Sequence, residues 1–427
     1  MNYHIQPHTG YSVAHIIEPK CRVAKAVITV DIHHANSITE QSVQTIMADA
    51  LLSGAGTHSR DEFLEAVNLL GASIDISINN GRCTITLRAT ATVFPKLLQL
   101  FALMITQPTF SATELKRIKA TSINQLHQAK EDSKSIAHEQ LQNIFYGSAD
   151  RKYSYSIDET IAEISTLKRT QLVKLHAQLL SHPWFVTAGG SKESMATLSA
   201  SIEKIKKPIK TVAADPTHQP LPPTPILSLE HIPSRQNIDF SIGLPLPITN
   251  QHPDFIPLTY AVAILGKWGG FTGRLMSTVR EKEGLTYGIY GQLEGFVNDE
   301  QGNLRIMTFF PPQKAILGLT STFREITKLY QSGVTSSEVA KFKVILGTQQ
   351  TMLNDSLSRQ LGDLHSYHFQ GYTVTQMEAQ KALLEKVSIA DINRVIKTYL
   401  DPTLFSVSAA GPVQDLRKAL RNWHQSV

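Results

Sequence analysis

Residues 265–288 read Leu-Gly-Lys-Trp-Gly-Gly-Phe-Thr-Gly-Arg-Leu-Met-Ser-Thr-Val-Arg-Glu-Lys-Glu-Gly-Leu-Thr-Tyr-Gly, and they are the most informative stretch of the chain. Glycines are dense in its first half, where Gly269, Gly270 and Gly273 precede an Arg-Leu pair. These glycines permit either a tight turn into a helix or a close approach of the backbone to a peptide or a protein partner. The stretch is not a phosphate-binding loop, because it lacks the required spacing of glycines, lysine and hydroxyl residue.

The sequence on either side of this stretch repeats itself. Residues 111–119 resemble residues 335–343 at an offset of 224 positions. A segment with seven prolines, 208–233, separates the two similar halves and has the composition of a semi-rigid extended linker. The sequence therefore predicts two homologous domains, 1–207 and 234–427, joined by this linker.

Helix and strand signals alternate within each half. Capping boxes precede apolar residues with helical spacing and predict helix starts at Ser37 and Glu40, Ser59 and Glu62, Ser111 and Glu114, and Thr335 and Glu338. Alternating apolar residues on both sides of Asn80-Gly81 predict a hairpin with a type I′ turn, and a second hairpin is expected around 298–303. The expected fold class is α+β, with an antiparallel or mixed sheet covered by helices.

Composition excludes several classes of protein. Of the 427 residues, 42% are apolar and 18% are charged, which is too apolar for a disordered chain. The longest apolar stretch is interrupted by polar residues and is shorter than the roughly 18 residues that a membrane-spanning helix needs. Residues 1–5 lack the basic and apolar regions of an export signal, so a cytoplasmic location is expected, or a periplasmic one if a signal has been removed. Cys21 and Cys83 are too few for a disulfide framework or a four-cysteine zinc site.

Charge gives little information about partners. The chain has 41 basic and 36 acidic residues, a net charge of +5, and these residues are dispersed along it. Basic residues are not clustered with interleaved aromatic residues, so no nucleic-acid partner is expected.

The stretch 265–288 closely resembles the second-domain signature of the M16 (pitrilysin-like) zinc peptidases, in which Arg-Glu-x-x-Gly-Leu-x-Tyr follows a glycine-rich loop. The resemblance extends over nearly the whole chain, including 51–59, Gln107-Pro108-Thr109-Phe110 and Tyr146-Gly147. It implies a duplicated α+β domain that forms half of a clamshell.

The chain departs from this family at the metal site. Active members carry His-x-x-Glu-His on the first long helix, with two histidines that bind zinc and a glutamate that activates water. The resemblance places these three positions at Thr45, Ala48 and Asp49. The third ligand of the family, a glutamate, is expected near Gln125-Leu126, but residues 120–130 contain no carboxylate. The resemblance therefore implies no catalytic zinc or other cofactor in this chain, and no peptidase activity of the chain alone.

A second pair of family residues is retained. An arginine and a tyrosine that reach toward the zinc in this family match Arg280 and Tyr287, and both can donate hydrogen bonds to a substrate carbonyl. The resemblance implies a heterodimer in which a partner subunit with His-x-x-Glu-His supplies zinc and this chain supplies the Arg/Tyr pair for peptide hydrolysis. A homodimer is also compatible with the sequence.

Other interpretations of the same residues remain open. Arg280 could pair with Glu283, and Tyr287 could be a half-buried aromatic residue of a strand. The whole chain could be a metal-free structural or peptide-binding protein, like the scaffold members of the family. His365 and His368 lie three residues apart near Asp363, but such histidines are more often structural than metal ligands. His33-His34 is a weaker candidate still.

Overall fold

The computed structural model describes residues 3–32, 36–206, 219–266, 273–298, 300–353 and 356–426. The first half of the chain forms β1 (Tyr3–His8), β2 (Tyr11–Ile17), β3 (Val23–Asp31), α1 (Ile38–Leu51), β4 (Gly54–Ala55), β5 (His58–Ser59), α2 (Arg60–Leu69), β6 (Ser73–Asn79), β7 (Arg82–Thr90), α3 (Phe94–Thr106), α4 (Ala112–Ala129), α5 (Ser133–Phe145), α6 (Ile157–Thr166), α7 (Arg169–Ser181), β8 (Trp184–Gly190) and α8 (Lys192–Ile205). The second half forms β9 (Leu227–His231), β10 (Ile238–Leu246), α9 (Phe255–Gly266), a π-helix (Met276–Lys282), β11 (Ile289–Glu294), β12 (Gly302–Phe310), α10 (Ala315–Ser332), α11 (Ser336–Leu353), α12 (Leu357–Phe369), α13 (Val374–Lys386), α14 (Ile389–Tyr399), β13 (Ser406–Gly411) and α15 (Arg417–Ser426).

The first sheet has the strand order β1-β2-β8-β3-β7-β6 and is antiparallel except for the parallel pair of β2 and β8. Residues that alternate along its strands, such as Ile28, Ile85 and Val186, form a buried core with α1, α3, α7 and α8. On the other face, α12 packs across β8, β2 and β3. Both faces of this sheet are therefore covered by helices where α12 lies.

The second sheet has the order β11-β12-β10-β13-β9 and is antiparallel except for the parallel pair of β13 and β9. One of its faces contributes Ile242, Leu244 and Ile306 to a core shared with α9, α10 and α14. The other face is crossed by α5, which packs on β10, β13 and β9. β11 is the outer strand on one side of this sheet within the described residues.

Each sheet therefore carries one helix from the other half of the sequence. The described residues divide into two compact units, one with those of Met1–Leu126, Tyr155–Pro216 and Gln350–Glu378, the other with those of His127–Ser154, Thr217–Gln349 and Ala379–Val427. The exchanged helices, α5 and α12, begin at Ser133 and Leu357, 224 positions apart, which is the offset of the sequence repeat. The halves 1–207 and 234–427 describe the repeat in the sequence, whereas each compact unit also contains a segment of the other half.

Several local predictions are confirmed. The α+β class holds for both units. β6 and β7 form the first hairpin, with Ile76 opposite Ile85 and with positive φ angles at Asn80 and Gly81, as a type I′ turn requires. β11 and β12 form the second hairpin. The capping boxes at Ser59 and Thr335 have both of their reciprocal hydrogen bonds.

The Pro-rich segment differs from the prediction. Residues 207–218 lie outside the described part of the chain, but Leu227–His231, within the segment 208–233, form the strand β9. This strand begins two residues after Pro225, the last proline of the cluster 222–225, and it pairs with β13. Residues 227–231 of the predicted linker are therefore part of the second sheet. Within the described residues, no helix is both long and apolar enough to cross a membrane.

The α5 segment is held by buried polar contacts that provide a test of this architecture. Tyr146, which is fully buried, accepts a hydrogen bond of 3.2 Å from the Nδ2 of Asn303 on β12. Because Tyr146→Phe leaves a buried amide without this acceptor, we expect the free energy of unfolding to fall by about 1–2 kcal/mol, measured by urea denaturation. Tyr330→Phe, at a half-buried tyrosine of the same unit, is the matched control and should change it by less than about 0.5 kcal/mol. An equal effect of the two changes would contradict the role assigned to this contact.

Candidate functional site

The helix that carries Arg280 has an unusual backbone. Residues Met276–Lys282 form a π-helix, and the N–H of Glu283 donates to the carbonyl of Thr278, five residues earlier, at 3.0 Å. Such wide turns are uncommon and occur frequently at functional sites. Met276 and Val279 are fully buried beneath the helix, whereas Arg280 is half-buried on its outer side. The apolar residues of the signature therefore fix the helix, and Arg280 remains accessible.

An ion pair fixes the start of this helix. Arg274 donates two hydrogen bonds to the carboxylate of Glu338, at 2.7 and 2.9 Å, and one to the carbonyl of Gly333 at 2.7 Å. Burial alone would raise the pKa of Glu338, but the bonds from Arg274 and Thr335 outweigh it, so this pKa lies below its ordinary value. Glu338, which belongs to the capping box of α11, therefore also anchors the start of the helix that carries Arg280. This link was not predictable from the sequence, because the capping box accounts for Glu338 without a second partner.

Gly273 has a conformation that favours glycine. Its φ angle is +138°, and a Cβ atom there would lie 2.9 Å from the Cα atom of Gly266, the last residue of α9. Of the two roles considered for this glycine, the structure supports a tight turn against the end of α9. Gly269 and Gly270 lie outside the described residues.

We expect Gly273→Ala to lower the free energy of unfolding by about 1–3 kcal/mol, because the added methyl group meets backbone atoms and the residue must keep a left-handed conformation. Urea denaturation followed by circular dichroism measures this loss. Gly362→Ala is the matched control, since a Cβ atom at Gly362 on α12 would meet no atom within 4 Å. That control should be neutral or stabilising by up to about 1 kcal/mol. A neutral Gly273→Ala would contradict the argument.

Arg280 and Tyr287 lie next to each other. The guanidinium carbon of Arg280 is 5.1 Å from the centroid of the Tyr287 ring, a cation–π arrangement. The side chain of Tyr287 is 78% exposed and precedes β11, so it is not the half-buried strand residue considered as an alternative. Glu283, the other partner considered for Arg280, accepts hydrogen bonds from Ser321 and Arg324. The structure therefore presents a guanidinium and a phenol together at an open surface.

The three positions expected from the resemblance to correspond to the zinc motif lie on α1, and their side chains do not fit a zinc ion. Thr45 and Asp49 are exposed and Ala48 is half-buried, on one side of the helix. The hydroxyl of Thr45 donates to the carbonyl of Gln41 at 3.0 Å, so it is used within the helix. A methyl group cannot bind metal or accept a proton, and no imidazole is present at these positions. Gln125, near the expected third ligand, is exposed on α4. Across the described ranges, no three His, Cys, Asp or Glu side chains form a group that could hold a metal ion.

His365 and His368 are structural in this fold. His365 shares hydrogen bonds with Thr29 at 2.8 Å and Thr187 at 2.9 Å, and His368 with Ser12 at 2.7 Å and Thr187 at 3.0 Å. Burial lowers the pKa of each imidazole to about 4. The histidines therefore attach α12 to the first sheet, in agreement with the structural interpretation. His33 and His34 lie outside the described residues.

Two family models match the chain. Residues 41–156 match the model described as insulinase (peptidase family M16), and residues 166–346 match the one described as the peptidase M16 inactive domain. The first range includes the α1 positions, and the second includes Arg280 and Tyr287.

Individual relatives are distant. The chain is 24% identical over 161 residues to the non-peptidase homolog YmxG of Helicobacter pylori, an alignment that covers 37% of this chain and 36% of that protein. The chain therefore spans about a third of the length of this curated relative.

Solved structures share the fold over most of their length. A peptidase M16 inactive domain from Pseudomonas fluorescens has a TM-score of 0.84 at 20% identity, covering 96% of this chain and 98% of the other. A protease from Helicobacter pylori has a TM-score of 0.83 at 14% identity, covering 96% and 99%. A conserved protein from Enterococcus faecalis has a TM-score of 0.76 at 16% identity, with the same coverage.

Proposed function

Because this chain belongs to the M16 peptidase family and is a non-catalytic member of it, we propose that it is the substrate-holding subunit of a heterodimeric zinc peptidase. In this proposal Arg280 and Tyr287 hold the carbonyl of a peptide, and a partner subunit with His-x-x-Glu-His hydrolyses the bond. Zinc bound by the partner would activate the attacking water and act as a Lewis acid. This chain supplies binding and orientation.

The contact of Arg280 with Tyr287 is the observation that carries the proposal. The guanidinium carbon of Arg280 lies 5.1 Å from the centroid of the Tyr287 ring, so two hydrogen-bond donors lie side by side on one surface. In the proposal both donate to the carbonyl oxygen, on which charge develops when the carbonyl is attacked. The ion pair of Arg274 with Glu338 and the buried Val279 hold the helix that carries Arg280. Donors that are fixed before reaction stabilise the developing charge without a cost of reorganisation.

The surface beside the pair also suits an extended peptide. β11 begins at Ile289, two residues after Tyr287, and is an outer strand of its sheet in the described part of the chain. An added strand would form main-chain hydrogen bonds, which give affinity with little preference for sequence. The peptide carbonyls would then lie close to the Arg280 and Tyr287 side chains.

Reconstitution tests this function. We expect the purified chain alone to hydrolyse no peptide, and to form a complex with an M16 subunit from the same organism that carries His-x-x-Glu-His. Size-exclusion chromatography measures the complex, and a quenched fluorescent peptide library measures hydrolysis. Activity that needs both subunits supports the proposal. If the two subunits form a complex but the partner alone is equally active, the scaffold alternative is favoured. Chelator-sensitive hydrolysis by this chain alone would overturn the proposal.

A further inference from the structure

A pocket opens beside Tyr287 on the face of the second sheet that α5 crosses. α5 covers β10, β13 and β9, and a cavity of about 430 Å³ extends from its N-terminal end over β12 and β11. Tyr287 and Gly288 line one side of this cavity. The volume falls within the range of about 300–1,000 Å³ that is typical of sites for small ligands.

The floor of the pocket is apolar and aromatic. Strand pairing places Met307 between Ser241 on β10 and Tyr290 on β11, and it places Phe309 opposite Asp239. Opposite residues of antiparallel strands lie on the same face of a sheet, so these side chains form one surface. Tyr290 and Phe309 are half-buried, which leaves part of each ring in contact with solvent.

The wall next to α5 is charged but balanced. Asp132, Lys134, Arg235 and Asp239 line it, two anions and two cations. One carboxylate oxygen of Asp239 accepts a hydrogen bond of 2.5 Å from Ser133, the first residue of α5. Burial raises the pKa of Asp239, and the nearby Arg235 opposes this rise. A carboxylate has more acceptor positions than one hydroxyl fills, so Asp239 can accept a further bond from a bound group.

We infer that this pocket binds one tyrosine or tryptophan side chain of a peptide held at Arg280 and Tyr287. The ring would lie on Tyr290, Met307 and Phe309, and its O–H or N–H would donate to Asp239. This inference rests on the proposed peptide-binding function and adds the class of side chain that is selected.

The charges of the wall favour this occupant over others. The charged end of a lysine or arginine side chain would be attracted by the two carboxylates but repelled by Lys134 and Arg235. An acidic side chain would be attracted by these two cations but repelled by the carboxylates. A neutral donor avoids both repulsions and still supplies the hydrogen bond. Aliphatic residues and phenylalanine would cover the floor but leave the Asp239 carboxylate without a partner from the ligand, which costs affinity when water is displaced.

Ligand binding to the purified chain of residues 1–427 tests the pocket without any partner subunit. The probes are the N-acetyl amides of tyrosine, phenylalanine, lysine and alanine, followed by ligand-observed NMR. We expect tyrosine to bind about tenfold or more tightly than alanine, because it buries an aromatic ring. We also expect it to bind several-fold more tightly than phenylalanine, because of the added hydrogen bond. Equal affinity for the four amides, or a preference for lysine, would overturn the inference.

Variants locate the effect. Met307→Ala with Phe309→Ala should remove the preference for tyrosine over alanine, whereas Met307→Leu should retain it, since leucine keeps the apolar floor. Asp239→Ala should bring the affinities for tyrosine and phenylalanine together. Ser133→Ala removes the same internal hydrogen bond without changing the pocket wall, so it is the matched control and should retain the preference. A tyrosine preference that all of these variants retain would place the binding elsewhere and overturn the inference.

The two proposals fail separately. If tyrosine amide binds at the pocket but Arg280→Ala leaves the activity of the reconstituted complex unchanged, the inference about the pocket is supported and the catalytic role of this chain is contradicted. If the complex depends on Arg280 but its peptide substrates show no preference for tyrosine or tryptophan, the inference falls and the proposed function stands.

Discussion

Arg280→Ala in the reconstituted heterodimer should lower kcat about 100-fold to 1,000-fold. The expectation follows from the loss of one donor to a developing oxyanion, which is worth about 3–4 kcal/mol in a preorganised site. KM should change much less, because the interaction is strongest in the transition state. Steady-state hydrolysis of a fluorogenic peptide measures both constants. Arg280→Lys should recover only part of the rate, since an ammonium lacks the planar fork of a guanidinium.

Controls separate catalysis from assembly in this experiment. Lys282→Ala, at an exposed residue at the end of the same helix, should leave both kcat and complex formation unchanged. Tyr287→Phe should lower kcat but keep the ring that lies beneath Arg280. If Arg280→Ala assembles normally and turns over at the unaltered rate, the pair is not used, and a structural role for the chain becomes the better account.

Local sequence signals predicted much of the fold. Capping residues such as Ser59 and Thr335 act within one turn of their own helix, and the Asn80-Gly81 turn fixes the register of its own hairpin. Arg280 and Tyr287 are only seven positions apart, so their proximity also followed from a short motif. Such signals need no knowledge of distant parts of the chain.

Long-range partners were not predictable in the same way. The apolar residues Leu361 and Leu364 indicate that α12 has a buried face, but the spacing says nothing about which sheet covers it. The structure places them on the first sheet, where they pack with Ala14 and Ile16, more than 300 positions earlier. The pocket beside Tyr287 was equally unpredictable from the sequence, because Asp239, Tyr290 and Phe309 come together only through strand pairing. No local motif marks such a set.

The exchanged helix α12 leads to the second large expected effect, a loss of stability in mild acid. His365 and His368 are held by hydroxyl groups of Ser12, Thr29 and Thr187, without a carboxylate partner among these bonds. Thr29 in turn shares a bond of 3.0 Å with Thr84, so the hydrogen bonds continue across four strands. Because burial lowers the pKa of each histidine to about 4, both remain neutral in the folded state at neutral pH.

The sign of the effect follows from proton uptake. The unfolded histidines have a pKa of about 6.5 and the folded ones a pKa of about 4, so the unfolded chain binds more protons between these values. Stability is therefore full above about pH 6.5 and falls as the pH is lowered toward 4. The loss is about 2–3 kcal/mol for each histidine by pH 4.5, since one pKa unit corresponds to about 1.4 kcal/mol.

Urea denaturation between pH 7.5 and pH 4.5 measures this loss. The doubly substituted chain His365→Gln, His368→Gln keeps hydrogen-bonding groups but cannot take up these protons. Its free energy of unfolding should therefore fall by about 4–6 kcal/mol less over this range than that of the unsubstituted chain. His127→Gln, at an exposed histidine of α4, is the matched control and should keep the full pH dependence of the unsubstituted chain. Comparison at each pH removes the contributions of other groups, such as His176, whose pKa is also lowered by burial. If the double variant and the unsubstituted chain lose stability in parallel, the two buried imidazoles are not the acid-sensitive contact between α12 and its sheet.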